Sequence, residues 1–272
     1  MQTNQTAEVV RYFSNSELKT WKRCRREWAL SYFMQVQPWA SVGKLTGHLA
    51  LGRRVHAALQ AAREGGDALA TLHAQAERER AQISGPVALL ADVADGPADV
   101  DLGAMARAEL AHEHAAEIEL AEIMVSGYLE WLEETGVDAG TVLVGTERKV
   151  EADIGVLYPS AALPGARVVI RGRIDTSVDL PSGQRAVQDY KTAQDLTRAR
   201  KVQHLEEQWL FYMLLEYLSD EREGRAVYGV LVDQLRKVKR TKTAKPPFYG
   251  RDLVTHNRQR QPESSDVERR RA

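Results

Sequence analysis

The hydrophobic pattern changes period once along this chain, and that change limits the folds open to it. Up to about residue 136 the apolar residues recur at helical spacing; from about Thr141 they gather in short, Val-rich runs. A helical region followed by a strand-rich region excludes an all-helical bundle and an all-β sandwich alike. Helices are expected over Leu18–Met34, capped by Ser14 or Ser16 and ended by Pro38, and over about Leu45–Ala62, with Leu49, Leu51, Val55 and Leu59 inward. An Ala-rich helix is expected near 67–82. A loop or insertion follows, Ser84 to Gly103, holding Gly85-Pro86 and Gly96-Pro97, and then a long helix over about Ala104–Glu134.

Beyond Gly136 the reading is strand, strand, strand, helix, strand. Thr141–Asp153, Arg167–Leu180 and Arg185–Lys191 read as strands, the last two joined by a turn at Pro181-Ser182-Gly183. An amphipathic helix is expected over about His204–Leu218 and a buried strand over Ala226–Gln234. The fold class is therefore α+β, with an N-terminal helical region. The expected organisation is one domain over 1–235 (helical part about 12–136, core about 140–235) and a basic extension, 236–272, partly disordered.

With 272 residues, 43% hydrophobic and 28% charged, the chain has globular usage and enough apolar mass for a sizeable core. No run of about 18 apolar residues offers a membrane span. The polar first 20 residues offer no signal peptide, and a cytoplasmic location is expected. The single cysteine, Cys24, excludes an internal disulfide and a multi-cysteine metal cage. Net charge, −1, says nothing of partners, but its distribution does. Glu109–Asp138 carries nine acids and no Lys or Arg, whereas Arg236–Arg260 carries nine Lys/Arg against one acid, and Lys19–Arg26 adds five basic residues. Such segments are either solvated faces or a basic surface for a polyanion.

Chemistry concentrates on two strands. Gly172-Arg173-Ile174-Asp175 lies on the second and Asp189-Tyr190-Lys191 on the third. Side chains two apart on a strand share a face, so Asp189 and Lys191 point together, and a short turn brings Asp175 near them. Two carboxylates with an ammonium suit a hard divalent cation; Mg²⁺ takes oxygen ligands and often only one or two carboxylates. The same spacing is also what a cross-strand ion pair of Asp189 or Asp175 with Lys191 would give. His56, in Gly52-Arg53-Arg54-Val55-His56, offers an imidazole ligand or is a satisfied polar residue of its helix. Gln208 and Tyr212, four apart, share one helix face.

The ordered set G-x-x-x-H, G-R-I-D, D-Y-K-T and Q-x-x-x-Y resembles the PD-(D/E)XK nuclease superfamily, in its RecB/AddB-like exonuclease branch. Phe13-Ser14-Asn15-Ser16-Glu17-Leu18 and Cys24-Arg25-Arg26 are similar to the opening of that branch, and the likeness spans about residues 12 to 235. It implies a restriction-endonuclease-like fold, a mixed central sheet with an αβββαβ core flanked by helices. It also implies Asp175 and Asp189 as metal-binding acids, Lys191 as the catalytic lysine and His56 as a further metal ligand. Gln208 and Tyr212 become DNA-engaging or supporting residues, and Glu147 a further family glutamate. Mg²⁺, replaceable by Mn²⁺, is the implied cofactor. Some members hold an iron–sulfur cluster on four cysteines; Cys24 stands at the first position and the other three are absent, so no cluster is expected. No G-x-x-x-x-G-K-[ST] signature is present.

The implied function is a metal-dependent DNA nuclease, an exonuclease acting on linear ends in recombination or repair, of phage type and therefore located in the host cytoplasm. Lys19–Arg26 and Arg236–Lys245 are then expected to follow the DNA backbone. The likeness leaves room for a single-strand annealing recombinase as partner and for a homo-oligomer. The alternative is a non-catalytic DNA-binding or assembly subunit on the same fold. A third reading makes the acidic helix, Glu109–Glu134, a dock for a basic partner.

Overall fold

The computed structural model describes residues 9–36, 45–84, 102–155, 166–203, 206–219, 227–239 and 244–255. The expected loop at Ser84–Gly103 and the expected disorder of the last dozen residues fall almost wholly outside them.

The chain opens with strand β1 (Val9–Ser14), which the sequence reading missed because its partner is more than 150 residues away. Ser14 caps helix α1 (Asn15–Arg23), its hydroxyl accepting from the Glu17 amide, while the Glu17 carboxylate accepts from Arg11 and Trp28. The single helix expected to Met34 is broken at Cys24, whose backbone is extended; a short α2 (Arg25–Trp28) and a π-helical turn (Ala29–Phe33) follow. Helices α3 (His48–Arg63), α4 (Ala68–Ser84) and α5 (Leu102–Thr135) form as expected, except that Leu49 is 81% exposed rather than inward.

Strands β2 (Val142–Asp153), β3 (Ala166–Asp179) and β4 (Arg185–Ala193) come next. Helix α6 (Leu196–Gln203) was not anticipated; the Asp195 carboxylate caps it by accepting from the amides of Thr197 and Arg198. Helix α7 (Glu207–Ser219) and strand β5 (Val227–Arg236) match expectation. A sixth strand, β6 (Tyr249–Val254), lies in the stretch expected as an extension and pairs antiparallel with β5. Its Gly-Arg-Asp centre has poor strand propensity, so pairing rather than local preference makes it a strand.

The six strands form one mixed sheet flanked by helices, as a restriction-endonuclease-like fold requires. Along the path β1-β3-β4-β5-β6, the β1–β3 and β4–β5 pairs are parallel and the others antiparallel, with β2 antiparallel to β3. Helices α3, α4 and α5 cover one face over Tyr190, Leu235 and Tyr249. Helix α7 covers the other over Val150, Ile170, Ile174, Val187 and Val232. With helices on both sides, Arg185–Tyr190 of β4 are buried without a break. Among the described residues, no helix is long and apolar enough to cross a membrane.

A buried polar cluster ties each helical layer to the sheet. Asp233 of β5, fully buried, accepts from Tyr128 of α5 (2.6 Å), Gln188 of β4 and Arg251 of β6 (2.8 Å). On the other face Glu216 of α7, also fully buried, accepts from Arg185 (2.8 Å), Arg148 (2.9 Å) and Ser177 (3.1 Å). Within the helical layer Arg54 of α3 reaches Glu79 of α4 and Glu117 of α5, each at 2.7 Å, and His114 lies 2.9 Å from Glu79. Several acids of the long helix thus have partners in their own chain, Glu122 with His73 and Glu119 with Lys239 among them.

Removing one member of such a cluster takes a buried partner from each of the others. Asp233→Ala takes the acceptor from the Tyr128 hydroxyl and the Gln188 amide and leaves the Arg251 guanidinium to Asp138 and the Val137 carbonyl, and is expected to cost roughly 3–5 kcal/mol in urea unfolding. A change below about 1 kcal/mol would show that the cluster does not tie the layers together.

Candidate active site

Strands β3 and β4 pair only over Thr176–Asp179 and Arg185–Gln188. Beyond that β3 takes β1 as its neighbour over 166–171, while β4 stays with β5 as far as Ala193. The two strands therefore part at residues 175 and 189, the next positions in their register, and each carries an aspartate there. Asp189 is buried, its side chain 1% exposed, and that of Asp175 is 21% exposed.

Helix α3 presents His56 to this fork, with Nδ1 3.3 Å from Asp175 Oδ2. The ring of Tyr190 backs the imidazole edge-on, centroids 5.8 Å apart. Lys191 shares the Asp189 face, as strand alternation requires, with Nζ 2.9 Å from Asp189 Oδ2. The contact is close but poorly aligned: Oδ2 is buried and accepts no hydrogen bond of acceptable geometry. The Lys191 ammonium also lies over the Trp209 ring, 5.0 Å from its centroid. Helix α7 supplies Gln208, which donates from Nε2 to the Tyr212 hydroxyl at 2.9 Å. Gly172 explains how α7 comes so close, since a Cβ there would stand 2.6 Å from Leu215 Cδ1.

Alternation along β3 slips at the fork. Ile174 packs into the α7-side cluster, and Ser177, three residues on, bonds Glu216 of α7. Opposite this point on β2, Glu147 has φ 47°, an uncommon conformation for a residue other than glycine. Its carboxylate, expected to have a supporting or DNA-binding role, is paired with Arg173.

The electrostatics reflect two acids held together. Burial, and then the charge of Asp175, push Asp189 up to about 6, against the pull of Lys191 and His56. Burial also raises Asp175, but the hydrogen bond and charge of His56, with Lys191, outweigh it and hold this carboxyl below its ordinary value. Burial lowers His56, and the bond and charge of Asp175, with the charge of Asp189, reverse that into a net rise. Burial raises the Tyr212 phenol, and the two aspartates raise it further.

Four of the expected site residues, His56, Asp175, Asp189 and Lys191, interact directly here; Tyr212 lies within the field of both aspartates and is bonded to Gln208. Sequence reasoning missed Trp209 and Tyr190, which look like ordinary core residues of their elements. Lys19, Lys22, Arg23, Arg25 and Arg26 of the first basic segment are exposed, and several of them have partners within the chain. Lys22 pairs with Glu207 at 2.7 Å, Arg23 with Glu27, and Arg25 stacks on Trp21 at 3.8 Å. Arg236 and Lys237 reach backbone carbonyls. Exposed Cys24 accepts from the Glu27 amide.

Among the described residues, no three His, Cys, Asp or Glu side chains are gathered as a ready cage for a metal ion. Two carboxylates nevertheless fit Mg²⁺, which completes its shell with water and phosphate oxygens. The observation in favour of that fit is the buried, poorly bonded Asp189 Oδ2 beside a second carboxylate, an arrangement that a cation would stabilise. The family model described as PD-(D/E)XK nuclease superfamily matches residues 12–270 and so encloses the whole cluster. No curated protein matches the chain.

Asp189 generates a stability prediction with a definite sign. Its folded value, about 6, lies above that of a carboxylate in the unfolded chain, so its contribution is present in full below about pH 3.8 and is lost as pH rises through 6. At pH 7 and without divalent cations, Asp189→Asn is expected to be more stable than wild type by on the order of 1–3 kcal/mol. The difference should close near pH 4, and Mg²⁺ should raise the melting temperature of wild type alone. Identical melting of the two proteins at pH 7 in EDTA would contradict this account.

Proposed function

We propose that this chain, which belongs to the PD-(D/E)XK nuclease superfamily, is a metal-dependent deoxyribonuclease that hydrolyses phosphodiester bonds at the β3–β4 fork. The observation that carries the reading is the convergence of Asp175, Asp189 and Lys191 there, with His56 3.3 Å from Asp175. Asp175 and Asp189 would hold Mg²⁺, with Mn²⁺ able to replace it, and His56 would ligate it or orient Asp175. The bound cation would supply Lewis acidity, polarising the phosphate and lowering the pKa of water.

The chain's own groups have separate tasks. The Lys191 ammonium stabilises the charge that develops on the phosphate oxygens as the attacking oxygen approaches in line. Tyr212, kept protonated by its surroundings and hydrogen-bonded to Gln208, presents a neutral donor to the substrate instead of a third anion. The finer reading is an exonuclease working on linear ends in recombination or repair, of phage type and acting in the cytoplasm, with a single-strand annealing recombinase as the partner that takes over its product. The ordered motif set quoted from the sequence supports this choice of branch.

The test is a digestion series on linear, nicked and circular DNA, labelled at the 5′ or 3′ end, with Mg²⁺, Mn²⁺ or EDTA. Degradation of linear DNA alone is expected, with none in EDTA. Asp189→Asn and Lys191→Ala should each lower kcat by about 10³-fold or more while circular dichroism and melting remain those of a folded protein. Cation-independent binding of DNA without cleavage would favour the alternative, a non-catalytic DNA-binding subunit.

A further inference from the structure

The Lys191 ammonium has two neighbours of different kinds. Asp189 Oδ2 is close, at 2.9 Å, but receives no aligned hydrogen bond. The Trp209 ring lies 5.0 Å from Nζ, and the indole is 1% exposed. The ring belongs to the buried cluster that includes Ile174, Val187, Leu215 and Val232, and Tyr212 stands beside it with centroids 6.3 Å apart. The lysine is less constrained, its side chain being 39% exposed.

A carboxylate and an indole hold an ammonium differently. The carboxylate holds it by charge, and that hold weakens once a cation occupies the same carboxylate. The indole holds it by the quadrupole of its face, which neither accepts a proton nor commits an N–H donor to a fixed direction.

We propose that Trp209 is a positioning residue whose ring face keeps the Lys191 ammonium beside the carboxylate pair when Asp189 is engaged by a divalent cation. The proposal rests on the nuclease reading above. Without the ring, the cation that Asp189 binds would repel the ammonium, and a half-exposed lysine would gain rotamer freedom by swinging into water. With it, the ammonium keeps its N–H donors available to a phosphate oxygen. The tryptophan therefore lies within the Q-x-x-x-Y segment for a reason separate from the glutamine and tyrosine that define it.

The first arm of the test does not depend on activity. The full chain is reductively methylated with ¹³C-formaldehyde, and the Lys191 methyl resonance is assigned by its loss in Lys191→Arg. In the wild type that resonance is expected upfield, from the ring current of Trp209, with and without Mg²⁺. Trp209→Leu should abolish the displacement and Trp209→Phe should keep part of it. The second arm is kinetic. Trp209→Leu should lower kcat about tenfold with KM for linear DNA within about twofold, and Trp209→Phe should recover kcat to within about threefold of wild type.

A Lys191 resonance that Trp209→Leu leaves unmoved would overturn the proposal. So would equal kcat losses in both variants that follow their melting temperatures. Should Trp209→Leu fail to fold, the bulk-preserving Trp209→Phe decides: a Lys191 resonance unchanged in position refutes the seat, and a reduced upfield displacement supports it. A wild-type protein inactive on every DNA would defeat the nuclease reading, while the resonance arm would still judge the seat.

Discussion

Like charges held close together in a buried place are the condition on which this structure turns. Asp175 and Asp189 occupy adjoining register positions where β3 and β4 separate, and burial adds to their mutual repulsion until Asp189 is pushed up to about 6. The chain tolerates this because cationic groups face the pair from two elements, Lys191 on β4 and His56 on α3. The balance is incomplete, since one buried oxygen still lacks an aligned donor. An unfilled electrostatic demand of this kind marks a functional site more often than a structural one.

The rest of the architecture keeps those groups where they are. The Asp233 cluster locks α5 to β4, β5 and β6 on one face, and the Glu216 cluster locks α7 to β2, β3 and β4 on the other. Helix α3, which carries His56, is fixed through Arg54 to both α4 and α5. Helix α7, which carries Gln208, Trp209 and Tyr212, lies close to β3 because residue 172 has no side chain. The fork is therefore clamped from both layers, and its side chains need little reorganisation to meet a ligand.

Several of the charges that stand out in the sequence have partners within the chain. The acidic helix answers Arg54, His73 and Lys239, and the basic N-terminal helix meets the acids that open α7. Exposed pairs of that sort are worth little in water and can exchange for a phosphate at small cost.

Local chemistry written in the chain determined the two periods, a serine cap at the start of the first helix, the three long helices, β2 to β5 and the shared face of Asp189 and Lys191. Each depends on spacing between near neighbours, which a sequence displays directly. The motif order likewise singled out His56, Asp175, Gln208 and Tyr212, but not that they meet. Only the tertiary structure decided that β1 and β6 are strands, that the first helix breaks at Cys24, that Glu147 turns to Arg173, and that Trp209 lies beneath the lysine. Those outcomes depend on partners up to 157 residues away and on packing across two layers, where pairing and burial override what a segment prefers alone.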